Sequence, residues 1–181
     1  MDSITSQAIV SFWSDAGPEK WFKKDASFDA DIRARFLATH EQAAAGKLKD
    51  WEGSAQGTLA LLILLDQFPR NMFRNDKRAF ATDPMALDIA KRAIANGYDS
   101  QVDPKLRTFF YLPFQHVENL AQQEHGAALY RAAGDADGEK WANIHADIIR
   151  RFGRFPHRNA VLKRDTTAEE RAFLEAGGFA G

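Results

Sequence analysis

SAQGTLALLILLDQF, residues 54–68, decides the fold. Its run from Leu59 to Leu65 is apolar on every side of a helix. Such a helix has no face to offer to water and belongs at the centre of a core. The run is also far shorter than the roughly 20 residues a membrane-crossing helix needs. A third helix over about 54–68 therefore requires other helices to cover it.

The flanking sequence supplies them. Ile4, Ala8, Ile9 and Phe12 share one face of a first helix, followed by a loop at Gly17-Pro18. Ile32, Phe36 and Leu37, with His40 and Glu41 one turn on, mark a second helix ending near Gly46. Asp83-Pro84 reads as an N-cap with proline in the first helical position. The helix it opens, through Met85, Ile89 and Ala93, stops at Asn96-Gly97. Asp103-Pro104 repeats the start signal, and the next helix runs to about Ala133 with Pro113 inside it. Gly134 and Gly138 break the chain. Trp141, Ile144, Ile148 and Ile149 then give helical spacing up to Phe152. Thr167-Ala168-Glu169-Glu170 is a capping box ahead of Phe173 and Leu174.

No alternating segment flanks a hairpin dipeptide, so no strand is expected. Short loops between helices favour antiparallel pairs. The expected class is all-α: a TPR-like stack of helical hairpins or an irregular helical bundle, as a single domain over 1–181. The 34-residue TPR repeat pattern itself is not visible.

Composition narrows the function. The 181 residues carry a net charge of −1, with 45% apolar and 27% charged residues. That balance is globular, and it speaks against a general nucleic-acid binder. The absence of cysteine excludes disulfides, thiol catalysis, cysteine-held zinc and iron–sulfur clusters. It suits a reducing cytoplasm. The N-terminal residues lack the basic and apolar regions of a signal peptide. No membrane partner is expected.

Three stretches hold candidate chemistry. RFGRFPHRNAVLKR, residues 151–164, contains Arg151, Arg154, His157, Arg158, Lys163 and Arg164, directly after Arg150, and no acid. DQFPRN, residues 66–71, echoes its centre: phenylalanine-proline, then base, then asparagine. In both, the proline reads as a helix stop, and Asn71 and Asn159 as caps of the next turn. Bases near a helix end complement its dipole, but one or two suffice. The surplus of Arg70, Arg151, Arg154 and Arg158 calls for a shared negative group, either a bound anion or a buried Asp66, Glu118 or Asp147. The third stretch, FFYLPFQHVE (109–118), has Pro113 kinking an aromatic helix. Tyr111, Gln115 and Glu118 follow on adjacent turns, with His116 at the edge.

Among the five histidines, His40, His116, His125, His145 and His157, none forms a zinc motif. A His116/His145/Glu118 site would need two facing helices, so no metal and no cofactor is expected. Phosphate-loop, dinucleotide and nucleophile-elbow motifs are missing as well.

Taken together, DQFPRN, AFATD (79–83), YLPFQH with Glu118, RFGRFPHRN and the closing TxEE/FL resemble a bacterial family known as domain of unknown function 924. The resemblance spans about residues 9–179. It implies an all-helical, TPR-like fold and no established activity, substrate or cofactor. The segments it carries over include Asp66, Arg70, Asn71, Tyr111, His116, Glu118, Arg154, His157, Arg158 and Asn159. Departures are Val117, where the family often has serine, and Asn75 and Lys163, where it has glycine-containing turns.

Three functions follow as expectations. The first is a cytoplasmic binding module whose Arg70, Asn71, Tyr111, His116, Arg151, Arg154, His157 and Arg158 line a cleft for a small anion or an acidic peptide. The second is an enzyme with His116 or His157 as general acid/base, oriented by Glu118 or Asp66. The third is a TPR-like protein-interaction domain without chemistry. Oligomeric state is left open.

Overall fold

The computed structural model describes residues 4–179. Among these residues there is no strand, and no helix is long and apolar enough to cross a membrane. Contacts divide the chain into two compact units. One comprises the residues up to Arg74 together with Arg78–Pro113, the other Asn75–Lys77 and Phe114 onward.

In the first unit, α1 (Ser6–Ala16) is capped by the Thr5 hydroxyl and buries Ile9, Val10 and Trp13. A short helix, α2 (Pro18–Trp21), occupies the expected Gly17-Pro18 loop. Asp25 caps α3 (Ala26–Ala44), whose buried Phe28, Ile32, Phe36, His40 and Ala43 recur every three or four residues. The apolar stretch becomes α4 (Ala55–Leu62), capped by Ser54, then a π turn (Ile63–Gln67), then α5 (Phe68–Met72). Leu59 through Leu65 are at most 2% exposed, as an all-apolar helix requires. Around it Trp13 meets Phe68 at 5.6 Å and Phe109 at 5.7 Å, edge on. Phe36 stacks on Phe68 at 5.0 Å. These are favoured offset and edge geometries, which add to the burial of the rings.

Several expected boundaries move. Pro69 does not stop its helix: the chain continues helically to Met72, because the π turn absorbs the missing amide. Asn71 therefore lies inside a helix and caps nothing. In α6 (Asp83–Ala95) the cap is Thr82, with Asp83 already helical, so the Asp83 carboxylate is released for another use.

α7 (Thr108–His116) keeps Pro113 within it, and its Phe109, Phe110 and Phe114 are core residues at most 1% exposed. The helix expected to reach Ala133 instead ends at His116. Asn119 caps a new one, α8 (Leu120–Ala132).

In the second unit α8 forms an antiparallel hairpin with α9 (Ala136–Phe152). Gly138 lies inside the first turn of α9 and breaks nothing. A Cβ there would stand 2.1 Å from the Tyr130 ring, so glycine lets the two helices close. After α9 a 3₁₀ turn over Pro156–Arg158 leads to α10 (Ala168–Glu175). Thr167 and Glu170 form the expected capping box.

Asn75 and Lys163 both have left-handed backbone, with φ of 60° and 55°. Asparagine tolerates this; lysine is penalised by roughly 1–2 kcal/mol. Glycine would relieve that at an unfolded-state cost of roughly 0.5–1 kcal/mol. Lys163→Gly is therefore expected to stabilise by up to about 1 kcal/mol, raising the melting temperature by about 2–4 °C. Thermal unfolding checks it, and a lowered melting temperature refutes the strain argument.

Candidate functional site

DQFPRN is organised around a proline without an N–H. In the π pattern the Leu64 carbonyl would have received its hydrogen bond from Pro69. It takes one instead from His40 Nδ1 at 2.8 Å. A carbonyl only accepts, so Nδ1 carries the proton. Burial pushes the His40 pKa down, ahead of the opposing effects of Leu64 and Glu41. One residue on, the Leu65 carbonyl accepts from the Thr82 hydroxyl at 2.5 Å. Arg70 Nη1 donates to the Asp66 carbonyl at 2.7 Å. The distorted turn is thus satisfied by side chains from α3, from the start of α6 and from its own next turn.

Arg70 is in turn fixed by AFATD. Its guanidinium forks onto Asp83, at 2.7 and 2.9 Å, and Nη1 lies 3.7 Å from Asp66 Oδ1. Burial disfavours the charge, but Asp83 and Asp66 outweigh it and raise the Arg70 pKa. Asp66 Oδ2 also accepts from Gln67 at 2.6 Å. Asn71 donates to Asp29 at 2.8 Å, and Asp29 is shared with Arg74. The Tyr111 hydroxyl donates to Asp99 at 2.7 Å.

RFGRFPHRN is a second, separately satisfied network. Arg154 forks onto the buried Glu170 at 2.6 and 2.9 Å and donates to the Asp165 carbonyl at 2.6 Å. Glu170 Oε2 also accepts from Asn159 at 3.1 Å and from the Thr167 N–H at 2.8 Å. Asn159 closes the Pro156–Arg158 turn instead of opening the next one, and its other amide atom, Oδ1, accepts from Arg164 at 3.0 Å. Arg164 forks onto Glu118 at 2.7 and 2.9 Å, and Glu118 also accepts the Phe155 N–H at 2.8 Å. Hydrogen bonding from Arg154 is the largest reason that Glu170 is lowered to about 2, against the opposing effect of burial. For Glu118, burial raises the pKa, but Arg164 and Phe155 outweigh it and the net shift is down.

Aromatic rings adjoin Arg151, His157 and Arg158. Arg151 lies over the Phe152 and Phe173 rings at 4.6 and 5.8 Å. Arg158 is buried with its guanidinium 4.6 Å from the Phe155 ring centre. The His157 ring packs against Phe155 and Phe179 at 5.6 and 5.4 Å. His116 closes α7. His145 Nδ1 bonds the Trp141 carbonyl at 2.7 Å. Among the described residues no group of three or more His, Cys, Asp or Glu side chains is placed to hold a metal ion.

The negative groups are internal: Asp66 belongs to DQFPRN itself, and Asp83, Glu118 and Glu170 come from elsewhere in the chain. Asp83 and Asp66 neutralise Arg70 within the first unit; Glu170 neutralises Arg154, and Glu118 neutralises Arg164, within the second. Asp83, Glu170 and Arg164 were missing from the expected site. The capping box was a usable signal for Glu170, since its carboxylate had to sit beside a backbone N–H at a fixed place. A carboxylate clamped by arginine is also a weak proton acceptor, which removes support from Glu118 as the partner of a catalytic histidine.

The model of one family, described as bacterial protein of unknown function (DUF924), matches residues 9–178. The chain belongs to the DUF924 family. A solved structure of a protein of unknown function from Agrobacterium tumefaciens, ATU0120, shares 49% identity with this DUF924 chain. The match covers 95% of this chain and 97% of that one, with a TM-score of 0.92. No curated protein matches. Within this chain Asp66, Gln67, Arg70 and Asn71 of DQFPRN, Thr82 and Asp83 of AFATD, and Arg154, Phe155 and Asn159 of RFGRFPHRN take part in the two networks described above.

Proposed function

We propose that this protein is a helical protein-interaction domain acting in the cytoplasm. The observation that carries the reading is the outer face of α3. There Ala30, Ala34, Leu37 and Ala38 floor a shallow concavity of about 540 Å³ bounded by Arg33 and Glu41. The three alanines are exposed. So open a surface cannot surround a small molecule, which usually loses most of its surface to an enclosing pocket. It suits a helix or loop of another protein, for which small residues permit close approach and the flanking charges set orientation. The rival reading, a small-anion cleft lined by motif arginines, has less support because Arg70 and Arg154 already hold carboxylates through two-pronged contacts.

A photo-crosslinking residue placed at Ala38 in the native host is expected to give a discrete protein adduct. The same probe at the exposed Asp137 should not. Ala34→Arg, on the exposed face, should abolish the adduct without lowering the melting temperature. Equal adducts at both positions, or none at Ala38, refute the reading.

A further inference from the structure

We infer that a slot in the first unit binds the tail of a short aliphatic carboxylate of about six carbons. It lies between the C-terminal end of α3 with the segment that follows it, α4 and α6, away from the exposed alanines of α3, and stands independently of the interaction reading. Leu48, Leu61, Leu65 and Ile89 line it, with Met85 at the lip. Leu61, Leu65 and Ile89 are almost fully buried, whereas Met85 is 37% exposed. The slot measures about 190 Å³. At roughly 30 Å³ per water-sized group, that admits about six groups. A drug-sized ligand, which fills roughly 300 Å³ or more, is too large.

The charges that line the slot select the head group. They are Lys49, Glu52 and Arg92. Arg92 is committed to Glu52 through two hydrogen bonds, of 2.9 and 3.1 Å. That pair is neutral as a whole and Asp88 acts on Arg92 from outside the lining, so among the lining residues Lys49 is left to set the sign. An apolar tail with a cation beside it fits a carboxylate and disfavours an amine of the same length. The Arg92–Glu52 pair gives no second cation, which argues against a doubly charged phosphate head. The chemistry needed is thus one negative charge and a tail of about five carbons.

Methionine methyl NMR supplies a local readout, since the chain has three methionines, Met1, Met72 and Met85. With the methyl groups labelled and Met85→Leu used for assignment, hexanoate is titrated in. The Met85 signal is expected to shift saturably while those of Met1 and Met72 stay in place. Hexylamine and acetate should leave it unmoved, the first for its charge and the second for its missing tail. Lys49→Gln should weaken hexanoate about fivefold, the upper range for an exposed ion pair. A still Met85 signal, an equal response to hexylamine, or unchanged affinity in Lys49→Gln overturns the inference. So does a common drift of all three methyl signals.

Discussion

Arg70→Ala is expected to destabilise the protein by about 3 kcal/mol, the low end for breaking a buried ion pair. For a domain of this size that lowers the melting temperature by about 6–12 °C. The size of the effect comes from what remains behind. The Asp83 side chain is 6% exposed and that of Asp66 1% exposed, so neither carboxylate can recover its hydration. The Asp66 carbonyl also loses its Arg70 donor beside the π turn. The low end applies because the Arg70 side chain is itself 20% exposed, leaving a path for water. Arg70→Lys keeps the charge but not the fork, and should recover only part of the loss. The double change Arg70→Met with Asp83→Leu should cost less than Arg70→Ala alone, since it removes the stranded Asp83 charge along with the guanidinium. A loss below about 1 kcal/mol for Arg70→Ala would mean that Arg70 is not structurally committed, and would restore it as an anion-binding residue.

This prediction also marks where the sequence could and could not be read. The all-apolar run at 59–65 indicated a central helix, because no other placement hides it on all sides. Ser54 caps α4 through a side-chain hydrogen bond carried within a few residues, whereas the equally local cap at Asn119 lay inside a stretch expected to run as one helix to Ala133. The glycine preference at Asn75 and Lys163 likewise has a local cause in their positive φ. Harder to read was any residue whose role depends on a distant carbonyl or charge. His40 follows the apolar face of α3 and resembles a tolerated core histidine, yet it serves a carbonyl 24 residues away. Asp83 fits a capping signal so well that its pairing with Arg70, 13 residues back, is invisible. The stretch 151–164 has no acid of its own because its partners are remote: Glu118 lies 46 residues before Arg164, and Glu170 lies 16 residues after Arg154. Charge counted within a short window cannot see partners that folding brings in.

Glu170→Gln is expected to destabilise by about 2–4 kcal/mol at pH 7, although it conserves shape and volume. Every group facing Glu170 is a donor: Arg154 Nε at Oε1, and Arg154 Nη2, Asn159 Nδ2 and the Thr167 N–H at Oε2. A glutamine must turn its own NH₂ toward one side of this ring, and either choice sets donor against donor. The change should also alter the acid limb of stability. Glu170 lies at about 2 in the folded protein and about 4.5 when unfolded. A lowered carboxylate pKa stabilises fully above the unfolded value, and that stability is lost as pH falls from about 4.5 toward 2. Glu118, also lowered, adds to the loss in the same direction. The unfolding free energy of the parent should therefore fall steeply below pH 4.5, while that of Glu170→Gln falls less, so that the two curves converge in acid. Urea denaturation at stepped pH measures both. Parallel curves would show that the Glu170 charge contributes nothing to the fold, and would free Arg154 for a ligand. Convergence would instead establish Glu170 as the negative group that Arg154 of RFGRFPHRN requires.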